Sequence, residues 1–381
     1  MLQVSLAFVL LIGSGLLTLS FVRLLAVRPG FRPENVMTAR LSLPRTRYPH
    51  EARVTSFTNS LLDRIRAMPG VDRAGMTTML PFSGNTNSSA IRIEGRVSAP
   101  GDNLPSPAWN NVDPGYFQIP LLQGRVFNEG DRRDAPPVAI IDESMAKKYW
   151  PRGDAVGAGI RQGINNNNPV VRIVGIVGSV KTRELAESEP VGVIYFPHQQ
   201  SNSRLFHVVV KGNGGTQMAN GLRRELQRVD PEMALFDMKA MPERIARSMG
   251  NRRAAMWICL VVAGLSMALS AVGIYGVLAY VVTLRTREFG IRLALGAEGG
   301  DVLRLVLGQG LKLAATGLLI GIGGAIGLTH LITGMLFEVK PTDPIVFAAV
   351  ALVMMLVAAV AALIPSLRVT RIAPGVALRS E

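Results

Sequence analysis

Four long apolar segments constrain this chain by where they fall: one at the start, three near the end, and a polar stretch between. Leu2 to Val22, Met256 to Leu284, Leu313 to Phe337 and Ile345 to Leu367 contain no Asp, Glu, Lys or Arg. Each reaches the roughly 20 residues that a helix needs to cross a hydrocarbon core. The pattern predicts a membrane α-helical protein with four transmembrane helices arranged one plus three. An α+β domain inserted between helices 1 and 2 stands outside the bilayer. No basic residue precedes the first run, and Arg23, Arg28 and Arg32 follow it without a small-residue cleavage site. It therefore reads as a permanent helix and not as a signal peptide.

Charge assigns the orientation. The formal net charge is +14, which at a membrane is explained by basic loops meeting anionic head groups. No arginine-rich helix or aromatic-interleaved basic patch points to nucleic acid. The loop after the second span carries Arg285, Arg287, Arg292, Arg304 and Lys312, and the tail carries Arg368, Arg371 and Arg379. By the positive-inside rule both are cytoplasmic, and parity puts the large domain on the other side. Arg23 and Arg28 after the first span, and Arg252-Arg253 before the second, argue the other way. Long domains cross largely regardless of charge, so the short loop and tail decide.

The expected boundaries are a first helix over 1–28, an outer domain over 29–253 and a membrane domain over 254–381. The last holds helices 256–284, 313–337 and 345–367 and a cytoplasmic segment 285–300. Within the outer domain, alternation at Ala39, Leu41 and Leu43 predicts a strand. Val54, Phe57, Leu61, Leu62 and Ile65 then line one face of a helix, and Met68-Pro69-Gly70 breaks it before a strand over Val71 to Leu80. A similar plan returns with a strand at His207 to Lys211, a helix at Met218 to Val229, a break at Asp230-Pro231 and a strand at Met233 to Met238. Two such β-α-β units predict a split ferredoxin-like module, 33–96 and 202–248, interrupted by a second module over 97–201. In that insert Val138 to Ile141 reads as a buried strand, and Asp142 caps a helix from Glu143 to Trp150 that Pro151 ends. Val170 to Val177 and Val191 to Phe196 complete a small sheet.

No catalytic constellation stands out, and no enzyme activity is expected of this chain. The single cysteine, Cys259, lies in an apolar span, which excludes a disulfide framework or a cysteine metal site within one chain. His50, His198, His207 and His330 lack ligand spacing, and His198 and His207 read as ordinary surface or sheet residues. Gly212, Gly214 and Gly215 loosely resemble a phosphate loop, but no Lys-Ser/Thr follows. Asp142 and Glu143 are adjacent and point differently, which suits capping better than acid–base work.

The sharpest motif is Thr286-Arg287-Glu288-Phe289-Gly290-Ile291-Arg292-Leu293-Ala294-Leu295-Gly296-Ala297. It resembles the cytoplasmic coupling segment of the MacB/FtsX-like family of ABC transporter permeases. Tyr116-Phe117, Leu121 to Phe127 and Ala146 to Pro151 are similar to that family's extracytoplasmic core, and Arg371 to Arg379 to its closing motif. The opening, through Pro29-Gly30-Phe31, looks most like the second half of the duplicated permeases. The resemblance implies a permease subunit in the bacterial cytoplasmic membrane, paired with a second copy or a sister half. A cytoplasmic ABC ATPase that binds the ATP would drive it for export or efflux, and a periplasmic adaptor would complete the path. Thr286, Arg287, Glu288, Phe289, Gly290, Ile291, Arg292, Leu295 and Gly296 would then couple it to the ATPase. Their charged side would lodge in the ATPase and their apolar side would stay with the membrane helices; the blander alternative is a topology-setting basic loop. Gly317 with Gly321, and Gly323 with Gly327, form small-xxx-small pairs in the third span. Those pairs suit either a dimer seam or packing within one chain. The alternative function is a signal relay in which the outer domain binds and regulates an extracytoplasmic protein such as a cell-wall hydrolase.

Overall fold

The structure, a computed structural model, describes residues 2–96, 103–116, 119–163, 168–187, 192–201, 203–285, 288–289, 291 and 299–369. It divides into two compact units: Val27–Met249, and Met1–Ala26 together with Gly250–Glu381. The first helix, α1 (Leu2–Leu25), is apolar throughout and carries Arg23 in its last turn, where a cation meets the negative end of the helix dipole.

The outer unit begins with β1 (Val36–Ser42), α2 (Glu51–Arg66) and β2 (Val71–Thr77). Helix α2 has Glu51 in its first turn and Arg64 and Arg66 in its last, again matching the dipole. After it, Gly70 takes a left-handed φ of 80° that a side chain would strain. Strands β3 (Ile91–Ile93), β4 (Ala108–Val112), β5 (Leu121–Gly124) and β6 (Val138–Asp142) lead to α3 (Glu143–Tyr149). Then come β7 (Gly159–Gln162), β8 (Val171–Val177), β9 (Val193–Pro197), β10 (Leu205–Gly212), α4 (Gly215–Val229), β11 (Phe236–Ala240) and α5 (Met241–Ser248).

The strands run in the order β11-β1-β10-β2-β4-β9-β6-β8-β7-β3, with β5 on the other half of β8. The first four are antiparallel to their neighbours, in the order of a split β-α-β module. Helices α2 and α4 cover one face, where Leu61, Leu62, Leu222 and Leu226 meet Leu41, Met76, Phe206 and Val208. The remaining strands carry a core on each face of β6, with Ala139, Ile141 and Met145 on one side and Val138, Ile140 and Val177 on the other. Burial on both faces explains why β6 reads as an unbroken apolar run.

Two strands differ from expectation for local reasons. Strand β2 stops at Thr77, short of Leu80, because the buried Asn110 side chain takes over the backbone: its Oδ1 accepts from the Thr78 and Met79 amides at 3.2 and 2.9 Å. The last strand starts at Phe236, not Met233, because the Met233 amide donates back to the Asp230 carbonyl and stays in the turn.

In the membrane unit, α1 packs with α6 (Gly250–Leu284), α7 (Gly299–Thr329) and α8 (Pro344–Val369). Half of the most apolar window of α1 is buried, against 17%, 22% and 33% for the others, which makes α1 the central helix. Phe8 meets the Phe347 ring edge-on at 6.3 Å, and the Ser270 hydroxyl donates to the Gln3 carbonyl. One expectation is corrected. The third membrane helix begins at Gly299, not Leu313, and ends at Thr329, before a 3-10 turn over His330–Met335. Arg304 and Lys312, read as loop residues, are exposed helical positions. Charge marks where hydrocarbon ends, but it does not end a helix.

Candidate functional site

Of the coupling residues, Glu288, Phe289 and Ile291 are described; Thr286, Arg287, Gly290, Arg292, Leu295 and Gly296 lie outside the described residues. Phe289 is 2% exposed and joins the membrane core with Leu278, Val282 and Val306. Its amide donates to the Arg285 carbonyl at 3.0 Å. Glu288 next to it is exposed, and Ile291 is half-exposed. An inward aromatic beside an outward carboxylate gives this turn an apolar anchor and a charged outer side.

The glycines of α7 fall on different faces. Gly317 and Gly321 are buried, and a side chain at Gly321 would meet Phe8 at 3.0 Å and the Ser5 carbonyl at 3.2 Å. That glycine lets α7 approach α1 within the chain. Gly323 and Gly327 are exposed and face open space. At the opposite end from the coupling turn, Arg23 donates to the Glu338 carbonyl and Arg252 to the Met335 carbonyl. Both arginines hold the connection between α7 and α8, work that is independent of topology.

The outer unit gives its conspicuous residues structural roles. Asp142 is fully buried and caps α3 through the Met145 amide at 3.0 Å, while Glu143 pairs with Lys147 at 2.6 Å. Gly212 touches the Gly70 carbonyl so closely that a Cβ would sit 2.0 Å from it, and Gly214 caps α4 with φ 129°. His207 is a sheet residue of β10, as expected, and with His198 it is buried, at 1% and 3% exposure, so neither lies at the surface. Burial pushes both imidazoles down to about 4. Among the described residues, no group of three or more His, Cys, Asp and Glu could hold a metal ion.

One cleft opens beside the Asp113-Pro114-Gly115 turn. It has a volume of about 790 Å³ and is lined by Asp63 and Arg66 of α2, Arg73 of β2, Asp113, Glu129 and Arg132. Arg66 donates to Asp113 at 2.6 Å and the Gly115 amide to the same oxygen at 2.8 Å. Burial raises the Asp113 carboxyl above its ordinary range, and Arg66 only partly offsets it. Alternating guanidinium and carboxylate groups suit a polar occupant better than an apolar one.

A central helix, an inserted α+β unit and three further apolar helices define a multi-span membrane protein with a large domain between its first and second helices. The MacB-like periplasmic core domain family matches residues 4–227, and the FtsX-like permease C-terminal family matches residues 260–374. The chain belongs to the MacB/FtsX-like family of ABC transporter permeases. Among curated relatives, a pyoverdine export ATP-binding/permease protein, PvdT of Pseudomonas syringae pv. syringae, is 26% identical over 281 residues. That match covers 70% of this chain and 41% of the relative, so the chain spans about two-fifths of that protein. A macrolide export ATP-binding/permease protein, MacB of Mannheimia succiniciproducens, is 25% identical, covering 68% and 39%. An uncharacterized ABC transporter permease of Bacillus subtilis, YknZ, is 25% identical, covering 71% and 70%. The solved periplasmic region of MacB from Actinobacillus actinomycetemcomitans aligns with 58% of this chain and 95% of its own, at 17% identity and a TM-score of 0.39.

Proposed function

We propose that this chain is the membrane subunit of an exporter, passing ATP-driven motion from a cytoplasmic ATPase to its outer domain. The observation that carries this is the run of the two family matches along one chain, 4–227 and then 260–374. That run joins an outer domain directly to the helices that would move it. The chain sits in the inner membrane with Val27–Met249 outside, paired with a second copy or a sister half. The inside assignment of the basic loop is supported by the work that Arg23 and Arg252 do at the other end of the helices, which accounts for two of the contrary charges. The ATPase docks on the stretch from Thr286 to Ala297, with Phe289 rooted in the membrane core and Glu288 turned outward. ATP is bound and hydrolysed in that partner.

Co-purification of the ATPase with the native chain and with an Arg287→Ala/Glu288→Ala variant tests this. The native chain is expected to retain the ATPase and the variant to lose most of it. Retention by both would remove the segment from the docking site. Binding by neither would overturn the ABC coupling altogether.

A further inference from the structure

Along the chain the short helix α5 comes between β11 and the membrane helix α6, and only Met249 separates Ser248 at its end from Gly250 at the start of α6. Its other end follows β11 without a break. With eight residues, α5 is too short to hold its own shape in water. Its apolar burial is slight, consisting of Met241 and the half-buried Ile245. Something else must fix it to the sheet.

Arg244 lies on its buried side, with a side chain only 4% exposed. All three guanidinium nitrogens donate. Nε reaches Thr38 Oγ1 on β1 at 2.7 Å, Nη1 reaches Asp237 Oδ2 on β11 at 2.6 Å, and Nη2 reaches the Asp237 carbonyl. Thr38 Oγ1 in turn donates to the Lys239 carbonyl at 2.8 Å, tying β1 to β11 at the same point. The strands give up regular pairing here. Asp237 has a left-handed φ of 46°, and the β1–β11 register shifts between Thr38 and Arg40. A planar fork with fixed donor directions transmits displacement in a way that a flexible ammonium does not.

We infer that Arg244 is the positioning residue through which movement of α6 reaches the outer sheet. This rests on the ATP-driven reading above. A displacement of α6 passes through one residue into α5, and the guanidinium carries it to two strands together. Without it, α5 would turn at its junction with β11, and the movement would be absorbed there before it reached β1 and the rest of β11.

Hydrogen exchange tests this on the full chain with its ATPase in lipid nanodiscs, with and without ATP plus vanadate. In the native complex, exchange in α6 and in strands Val36–Ser42 and Phe236–Ala240 should change several-fold on trapping. In Arg244→Ala the α6 response should remain and the strand response should vanish, with Arg244→Lys in between. Asp237→Gly, which removes the carboxylate acceptor and suits the left-handed backbone, should weaken the strand response and serves if Arg244→Ala does not fold. Strands in both variants that respond like the native chain would overturn the role of Arg244 and leave the ATP-driven reading standing. A native complex in which neither α6 nor the strands respond would overturn that reading, and this inference with it.

Discussion

Asp142 is a carboxylate with no exposure at all, and its replacement has a cost that can be worked out bond by bond. Oδ1 accepts from the Met145 amide at the start of α3 and from the Val193 amide at the start of β9, both at 3.0 Å. Oδ2 accepts from the Ser144 and Ser179 hydroxyls. One side chain thus joins a helix cap, a strand and the segment after β8. In Asp142→Ala the lost cap costs about 1 kcal/mol. The Val193 amide, buried without a partner, costs about 2 kcal/mol more. The hydroxyls can turn to other acceptors and add little. The expected loss is therefore about 3 kcal/mol, the sum of the cap and the orphaned amide. Asp142→Asn keeps one acceptor oxygen and should lose about 1 kcal/mol, the difference between a charged and a neutral acceptor. Pulse proteolysis of the full chain in urea, following cleavage of the outer domain, reads the difference. With a slope near 2.5 kcal/mol per molar for a domain of this size, the Ala midpoint should fall by about 1 M. If Ala and Asn shift the midpoint equally, or if Ala costs no more than a cap, Asp142 does not join the elements as described.

Three further outcomes follow from the same contacts. Gly321→Leu should drive Phe8 from α7 and lower the thermal midpoint of the detergent-solubilised chain by several degrees, whereas Gly323→Leu, facing open space, should leave the midpoint unchanged. His198 and His207 are held neutral by burial, with folded values of about 4 against 6.5 for the free side chain. The unfolded chain therefore takes up protons first as pH falls. Stability should be complete above about 6.5 and drop between 6.5 and 4 by up to about 1.4 kcal/mol per pH unit for each histidine. Urea midpoints at pH 7 and pH 5 would show the drop, and His198→Gln/His207→Gln should flatten it. Tyr48→Phe removes a 2.7 Å bond from the phenol to the buried Asp230 carboxylate and should cost about 1 kcal/mol by the same urea assay.

What sequence reading captures here is periodic or punctuated. The face of α2 was legible because Val54, Phe57, Leu61, Leu62 and Ile65 recur at helical spacing, and all five are buried. The cap at Asp142 was legible because a short acceptor precedes a helix and a proline follows it. The Val193 and Ser179 bonds of the same residue were not, since they join positions far apart in the chain. The ends of the membrane helices are not legible in the same way, because charge limits the span in hydrocarbon without ending the helix, and Arg304 and Lys312 fit an exposed helical face. The strand at His207 is legible from its apolar neighbours and β10 contains it, whereas the burial of the His198 and His207 rings is not, because a histidine carries no periodic signal of its own.

The candidate site divides along the same line. A coupling segment is a local string, so Thr286 to Ala297 could be recognised before any fold was known. Arg244 has no such string: Met241-Pro242-Glu243-Arg244-Ile245-Ala246-Arg247-Ser248 offers two arginines of equal standing. Only the fold distinguishes them. Arg247 pairs with Glu243 on its own helix at 3.2 Å and is two-thirds exposed, while Arg244 is buried against partners on two strands. An exposed pair one turn apart is worth a few tenths of a kcal/mol. Asp237 is itself a third exposed, so the cost of truncating Arg244 is that of its three donated hydrogen bonds, about 1 kcal/mol each. The two arginines are three residues apart on one short helix and differ by an order of magnitude in consequence, because the strand order places Thr38 and Asp237 beside one of them and solvent beside the other.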